Sequence, residues 1–187
     1  MESHLQSAMG PHLDLTRVKL KNTQVELKNA QERIRKLEEK FHTRKMVWKI
    51  DEFTRIMSEA KNGTNTYIES DPFYTESLGY KLKVLLYPNG FGKGENTHLS
   101  VFIVIMKGEY DAILPWPFNK KVRFTLIDQQ EDLWKRENVV DKSKTLLNPN
   151  EGEREGEGKE EFISHLKLQA RRYVVDDTLF LQVEIDP

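Results

Sequence analysis

The chain has 187 residues, enough for one ordinary domain and an additional segment. Its 29 Lys and Arg and 30 Asp and Glu give a net charge of −1, and a dedicated binder of nucleic acid or anionic membranes is usually basic. The absence of cysteine excludes a disulfide framework, a thiolate zinc site and a Cys nucleophile within these residues. Because apolar runs are short and the N-terminus lacks signal-peptide character, we expect a cytoplasmic protein without a nucleic-acid partner or direct membrane insertion.

The first forty residues show a heptad pattern. Residues 12–40 contain neither Gly nor Pro and are rich in Lys, Arg, Glu and Gln. The apolar seam consists of Leu13, Leu20, Leu27, Ile34 and Phe41 at the a positions, with Leu37 at a d position. An apolar a position over about four heptads predicts a coiled coil across residues 11–42, after a flexible N-terminus at residues 1–10. The other d positions are weak, and a single amphipathic helix docked on its own domain is the alternative.

From residue 45 the pattern changes to short strands separated by turns. The β-prone segments are residues 47–50, 81–87, 99–106, 122–126 and 179–185. Most of them alternate apolar and polar side chains, whereas residues 99–106 are apolar on both faces, as in a central strand. Residues 51–61 favour one or two helical turns capped by Asp51. Short strands with little helix predict an antiparallel β-sandwich.

Three other segments are predicted to be loops or turns. Residues 148–161 contain three Gly and six Glu, which is typical of a flexible acidic loop rather than a folded element. The glycine-rich residues 90–94 superficially resemble a phosphate-binding loop, but they lie between two strands, which favours a plain hairpin loop. Asp176 and Asp177 are adjacent, so on a strand they would face opposite ways, and a turn is the better interpretation.

No catalytic or metal-binding constellation can be identified in the sequence. The five His residues are scattered and none has the spacing of a metal site. A phosphate-binding loop followed by Lys-Ser or Lys-Thr and a nucleophile elbow are both absent from the sequence. We therefore expect no cofactor and no metal, and predict a binding module rather than an enzyme.

A series of ordered motifs runs from residue 45 to residue 187. They are VWKI at 47–50, PFY at 72–74, GYKL at 79–82, THLS at 97–100, MKGEYD at 106–111, LPWPF at 114–118, LIDQ at 126–129 and YVVDDT at 173–178. In this order they resemble the C-terminal domain of the tumour necrosis factor receptor-associated factors, the TRAF branch of the MATH domains. The heptads that precede them are similar to the trimerising segment of the same family.

This resemblance implies an eight-stranded antiparallel sandwich at residues 45–187, carried by a parallel homotrimeric coil. It also implies a signalling adaptor that binds short linear motifs in the cytoplasmic tails of tumour-necrosis-factor-receptor-like or Toll/interleukin-type receptors and in their adaptors. Family members usually carry RING and zinc-finger domains that connect them to ubiquitin ligation. Those domains need Cys, so we expect them to be missing from this protein or to lie outside this sequence.

The resemblance further implies where a peptide binds, and there this chain departs from the family. Family sites commonly use an Arg, a Tyr and an acidic residue, whose positions are Leu85, Tyr87 and Phe91 here. Lys83 is a partial substitute for the Arg, because it shares a strand face with Leu85. The full predicted site is Lys83, Leu85, Tyr87, Phe91, Phe102, Phe124, Glu157, Gly158 and Lys159.

Two features of this predicted site leave alternatives open. Phe102 and Phe124 match positions that form an apolar floor in some family sites, but they equally suit an ordinary core. In one branch of the family the positions of Glu157 and Lys159 are aromatic, so that branch's preference does not transfer. Leu85, Phe91 and Glu157 leave open an alternative function, a trimeric oligomerisation module with a degenerate peptide groove.

Overall fold

The computed structural model describes residues 17–33, 45–147 and 156–186, except the side chains of residues 143–147. The chain divides into two units, residues 1–41 and residues 42–187. In the first unit, residues 17–33 form helix α1, as the heptad pattern predicts for this stretch. Leu20 and Leu27 of the predicted seam are 60% and 58% exposed on α1. The other seam residues, Leu13, Ile34, Leu37 and Phe41, lie outside the described residues, and the coiled coil stays a prediction.

The second unit contains two packed antiparallel sheets. Its elements in chain order are β1 (Lys45–Ile50), α2 (Phe53–Lys61), β2 (Ile68–Glu69), β3 (Phe73–Tyr74), β4 (Lys81–Tyr87), β5 (His98–Met106), β6 (Phe118–Leu126), β7 (Val139–Leu147), β8 (Glu157–Ser164), α3 (His165–Ala170), β9 (Val174–Val175) and β10 (Thr178–Ile185). Sheet I has the order β1-β10-β6-β7, with β9 paired to β10. Sheet II has the order β2-β4-β5-β8, with β3 paired to β4.

The eight strand positions of the predicted sandwich are present in these two sheets. Strands β2 and β3 pair with successive parts of β4, at residues 85–86 and residues 81–82, so together they occupy one position. The two-residue strand β9 is an addition that forms a hairpin with β10. Asp176 and Asp177 make the turn of this hairpin with positive φ angles of 48° and 57°, which confirms the turn interpretation.

Alternation places one face of each long strand in a shared core. The fully buried core side chains of the four central strands are Leu82, Val84, Leu86, Leu99, Val101, Ile103, Val122, Phe124, Leu126, Leu179, Leu181 and Val183. Burial of each such side chain contributes roughly 1.5–3 kcal/mol to folding. Strong alternation in β4, β6 and β10 is therefore the feature that made these strands predictable.

The cap predicted for the first helix of the domain is wrong. Helix α2 begins at Phe53, and Glu52, rather than Asp51, occupies the N-cap position with a φ of 56° and no side-chain cap. The N–H groups in the first turn of the helix, which have no partner within the helix, donate to the β9–β10 turn instead. Asp177 accepts from Phe53 N through its main-chain oxygen at 3.0 Å and from Thr54 N through Oδ1 at 2.7 Å. A distant turn can replace a local cap because any correctly placed acceptor satisfies these groups.

The predicted loop at residues 148–161 is wrong in its last part. Residues 157–161 belong to strand β8, which pairs with β5, while residues 148–155 lie outside the described residues. A glycine-containing and acidic stretch forms a strand here because it lies at an edge, where polar residues are common and only one neighbour supplies hydrogen bonds. Strand β7 and helix α3 were not predicted. None of the described helices is long and apolar enough to cross a membrane.

Candidate functional site

One row of side-chain positions crosses β2, β4, β5 and β8 on the outer face of sheet II. Glu69 on β2 pairs with Leu85 on β4, Leu85 pairs with Phe102 on β5, and Phe102 pairs with Gly158 on β8. Directly paired residues in an antiparallel sheet point to the same side. Because Val84 belongs to the core, its neighbour Leu85 and the whole row face away from the core. Strand pairing thus brings together predicted site residues that are far apart in the sequence.

An aromatic cluster that includes Phe102 lies alongside this row. We call Tyr67, Tyr87, Phe91 and Phe102 the aromatic patch. The ring centroids of Tyr87, Phe91 and Phe102 lie 5.0, 5.5 and 5.6 Å apart, and those of Tyr67 and Tyr87 are 5.4 Å apart. Tyr67 is 45% exposed and Phe91 is 48% exposed, so the patch presents apolar surface to solvent. Aromatic rings in such arrangements gain about 0.5–1.5 kcal/mol per pair beyond area burial, which stabilises the patch.

The Tyr87 hydroxyl remains a neutral hydrogen-bond donor at physiological pH. Burial of the side chain, and to a smaller extent the neighbouring Tyr67, raise the pKa of Tyr87 above its ordinary value. A rigid ring with a hydroxyl at its tip suits the recognition of a peptide, since it combines apolar area with one polar contact.

The loop between β4 and β5 holds Phe91 in place. The Phe91 N–H donates to Ser100 Oγ at 2.9 Å, and Ser100 Oγ donates to the main-chain oxygen of Glu160 on β8. Glu160 also accepts from Lys93 N through Oε2 at 3.0 Å. The loop turns at Gly92 with a φ of 58°, a conformation that favours glycine. These contacts connect the aromatic patch to the edge strand of the same sheet.

The two lysines of the predicted site are both in ion pairs. Lys83 Nζ lies 2.8 Å from Glu69 Oε2, and Lys159 Nζ lies 3.3 Å from Asp141 Oδ2 on β7. The Lys83 side chain is only 14% exposed, whereas that of Glu69 is 52% exposed. The cation expected to replace the family's Arg is therefore already neutralised by a residue of the same row.

Strand β8 is the edge of sheet II beside the aromatic patch. Among the described strands it pairs with β5 on one side only. Main-chain groups on the open side of an edge strand can pair with an added extended segment. Gly158 lies in the row next to Phe102, where a Cβ atom would be 2.0 Å from the Val101 main-chain oxygen. A glycine is therefore required for β8 to approach β5 this closely.

Residues 45–185 match the family model of the MATH domain. The chain belongs to the MATH domain family. It is 43% identical over 148 residues to TNF receptor-associated factor 1 of Mus musculus, which covers 75% of this chain and 35% of that protein. It is 37% identical over 153 residues to TNF receptor-associated factor 5 of Mus musculus, and this match covers 78% of this chain and 27% of that protein. The chain thus spans about a third or less of the length of these relatives.

A solved structure of Notothenia coriiceps TRAF5 is also similar to this chain. The two superpose with a TM-score of 0.69 and 30% sequence identity, over 97% of this chain and 95% of the other. The TRAF-type MATH sandwich expected from the ordered motifs is confirmed by these matches together with the two-sheet topology.

The MATH domain does not place all predicted site residues on this surface. Phe124 belongs to β6 of sheet I, is 0% exposed, and packs in the core at 6.4 Å from the Phe162 ring. Its ordinary-core alternative is the correct one, because its position in the alternation faces the opposite sheet. Leu85 lies on the outer face but is only 5% exposed, so it supports the surface from below. Phe102 is half-buried within the aromatic patch.

Glu157 and Lys159 flank Gly158 on β8 and therefore point to the other side of sheet II. Lys159 there connects the two sheets of the MATH domain through Asp141, rather than contributing to the aromatic patch. Sequence reasoning missed Tyr67, Glu69, Ser100 and Glu160. A short alternation at residues 67–69 is the available signal for Tyr67 and Glu69, and it is too brief to identify a strand without its partner.

Among the residues that the structure describes, no group of three or more His, Asp or Glu is arranged to hold a metal ion. The outer face of sheet II instead offers apolar area and the phenolic hydroxyls of Tyr67 and Tyr87, and the edge strand β8 offers open main-chain groups. These are the components of a peptide-binding surface.

Proposed function

We propose that this chain is a cytoplasmic trimeric signalling adaptor. In this proposal residues 11–42 assemble three copies through a parallel coiled coil, and each MATH domain at residues 45–187 binds a short linear peptide. The peptide comes from the cytoplasmic tail of a tumour-necrosis-factor-receptor-like or Toll/interleukin-type receptor, or from an adaptor. The names of the relatives support a tumour-necrosis-factor receptor as partner, and the single observation that carries peptide binding is the aromatic patch beside the open edge of β8.

The proposed mechanism combines strand addition with side-chain anchoring. An extended peptide pairs with the main chain of β8, which supplies affinity without sequence preference. Its alternate side chains point toward the outer face of sheet II, where Phe91, Phe102 and Tyr87 accept one of them. Each site is weak, and three sites on one coil raise the apparent affinity for a clustered receptor by ~10²–10⁴.

The composition of the patch supports a preference for apolar or aromatic peptide residues. Phe91 stands where the family commonly has an acidic residue, and its ring lies 5.0 Å from that of Tyr87. Leu85 stands at the Arg position and is buried, so neither charge of the family pattern is available here. The second candidate function, a trimeric oligomerisation module with a degenerate groove, rests on the same departures from the family pattern at Leu85 and Phe91 and on Glu157.

A peptide array of receptor tails, repeated with the Tyr87→Ala variant, tests the proposal. Loss of the Tyr87 ring removes the centre of the aromatic patch and should weaken a bound peptide by ~1–2 kcal/mol without disturbing the trimer. Trp134→Ala is the matched control, because Trp134 is an aromatic residue that is 98% exposed and lies between β6 and β7. A trimer that binds no array peptide would favour the oligomerisation module. Binding that survives Tyr87→Ala, with chemical-shift changes confined to sheet I, would place the peptide elsewhere.

A further inference from the structure

The ion pair between Glu69 and Lys83 lies at the far end of the row that begins at the edge strand. We propose that Glu69 is a specificity-determining residue, which neutralises Lys83 and so makes the groove discriminate against peptides with an acidic side chain beside the apolar anchor. This inference rests on the proposed peptide site, because it states which peptides that site accepts. The peptide class is an aromatic or aliphatic anchor followed by an uncharged side chain.

Strand pairing determines the position of Glu69. It lies on β2, directly opposite Leu85, so it shares the outer face with Lys83, which is two residues from Leu85 on β4. The Nζ–Oε2 distance of 2.8 Å is that of a charge-assisted hydrogen bond. Among the described residues, Glu69 is the only ion-pair partner of Lys83. The 14% exposure of the Lys83 side chain leaves its ammonium little freedom to leave this carboxylate.

Glu69 is also accessible to a bound peptide. An open cavity of about 390 Å³ beside the aromatic patch is lined by residues 63–69, which include Tyr67 and Glu69. The Tyr67 ring lines this cavity and its centroid lies 5.4 Å from that of Tyr87, so the cavity adjoins the aromatic patch. Because Lys83 Nζ and Glu69 Oε2 are 2.8 Å apart, a ligand atom near Lys83 encounters the Glu69 carboxylate at a similar distance.

The electrostatic consequence follows from the neutrality of the pair. A peptide carboxylate gains attraction from Lys83 but suffers repulsion from Glu69, and it loses part of its hydration on binding. An uncharged side chain avoids both the repulsion from Glu69 and the loss of a carboxylate's hydration. The next cation on the same face, Lys81, is two residues further along β4, which is about 6.6 Å at ~3.3 Å per residue. Without Glu69, Lys83 would be a partly buried cation without a partner, and an acidic peptide side chain would supply one.

The experiment uses the trimeric chain and two kinds of fluorescent probe peptide. The parent probe is the array peptide with an aromatic anchor that binds most tightly, and the acidic probes carry Glu at each flanking position in turn. Glu69→Gln removes the charge while keeping the size of a half-exposed side chain, so the fold is retained. We expect this variant to bind one acidic probe about fivefold to tenfold more tightly, with less than about a twofold change for the parent probe.

Two further variants make the result specific. The double variant Glu69→Gln with Lys83→Met should lose the gain, because the released cation is gone. Glu131→Gln is the matched control, since Glu131 is also an exposed partner in an ion pair, at 3.7 Å from Arg172, and its loss changes the net charge equally. A gain in this control of the same size would indicate a general charge effect and overturn the proposal.

The outcomes separate this inference from the proposed function. If the parent probe binds and no acidic probe gains affinity in Glu69→Gln, then Glu69 does not determine specificity, and the peptide site stands. If an acidic probe already binds the unmodified chain as tightly as the parent probe does, Glu69 does not discriminate against acidic peptides, and the peptide site again stands. If the parent probe binds equally with and without Tyr87, the peptide site itself is wrong and the inference fails with it.

Discussion

The Arg171 Nε donates to Asp128 Oδ2 at 2.9 Å, although the Asp128 side chain is completely buried. The same carboxylate accepts from the main-chain N–H groups of Glu137 at 3.1 Å and Gln130 at 3.2 Å. The guanidinium also donates to the Lys135 main-chain oxygen. This pair therefore helps to hold the segment between β6 and β7, together with the Gln129 side chain, which donates to the main-chain oxygens of Tyr173 and Thr178.

Replacing this carboxylate should destabilise the domain. Asp128→Asn keeps the shape but removes the charge that Arg171 pairs with, and it places an amide where three donors converge. We expect a loss of about 2 kcal/mol in the free energy of unfolding, which is less than for a fully buried pair because Arg171 is 25% exposed. Urea denaturation measures this loss. Glu131→Gln, which disrupts the exposed pair with Arg172, should change the free energy by less than about 0.5 kcal/mol. Equal effects of both substitutions would contradict the structural role of the buried pair.

The contribution of Asp128 to the free energy of unfolding should also depend on pH. Burial opposes its ionisation, but the Glu137 N–H, the Arg171 guanidinium and the Gln130 N–H together outweigh burial and hold the pKa of Asp128 below its ordinary value. Near these pKa values the unfolded chain then binds more protons than the folded chain. The stabilisation by Asp128 is therefore fully present above its pKa in the unfolded chain, which is about 4, and it is lost as the pH falls through its lower pKa in the folded chain.

The stability gap between the unmodified chain and Asp128→Asn should therefore be constant at neutral pH and shrink below about pH 4. Urea denaturation from pH 7 to pH 3 measures this gap. A gap that stays unchanged down to pH 3 would show that the charge of Asp128 is not what stabilises the segment.

The edge strand should be sensitive to the size of residue 158. In Gly158→Ala the new Cβ would meet the Val101 main-chain oxygen at 2.0 Å and the Phe102 Cα at 2.6 Å, so β8 has to move away from β5. We expect about 2 kcal/mol of destabilisation and a loss of peptide binding, measured by thermal unfolding and by probe titration. Lys159→Ala next to it removes only a partly exposed ion pair and should cost less than about 1 kcal/mol. Full stability of Gly158→Ala would mean that β8 is not paired as closely as described.

Helix α1 offers a matched pair of substitutions to test the coil. The unmodified chain should scatter light as about three times 22.0 kDa at micromolar concentration. The double variant Leu20→Asp with Leu27→Asp places two charges on the predicted seam and should give a monomer. Val18→Asp with Val25→Asp changes residues of similar exposure, 56% and 54%, that lie off the seam, and should remain trimeric.

Two results would contradict the predicted trimer. A concentration-independent monomer for the unmodified chain would exclude the coil. A stable dimer would keep the coil but remove the trivalent binding on which avidity depends.

The sequence by itself determined the strands with regular alternation and the family to which they belong. In β4, β6 and β10, one side chain in two faces the core, and this burial dominates the local pattern because it contributes more free energy than any surface contact. The turn at residues 176–177 was also predictable, since Asp tolerates positive φ angles. These features depend on neighbours within a few residues.

Only the tertiary structure decided which residues form the candidate site. The row from Glu69 to Gly158 joins residues on four strands, and it exists because the register of three strand pairs aligns them. The pairing of Lys83 with Glu69, the burial of Leu85 and the loss of Phe124 to the core all follow from that alignment. Strand β8 has a polar, glycine-containing sequence that looks like a loop, and its hydrogen bonds with β5 make it a strand. Contacts between residues far apart in the chain depend on register and packing, which local sequence patterns do not encode.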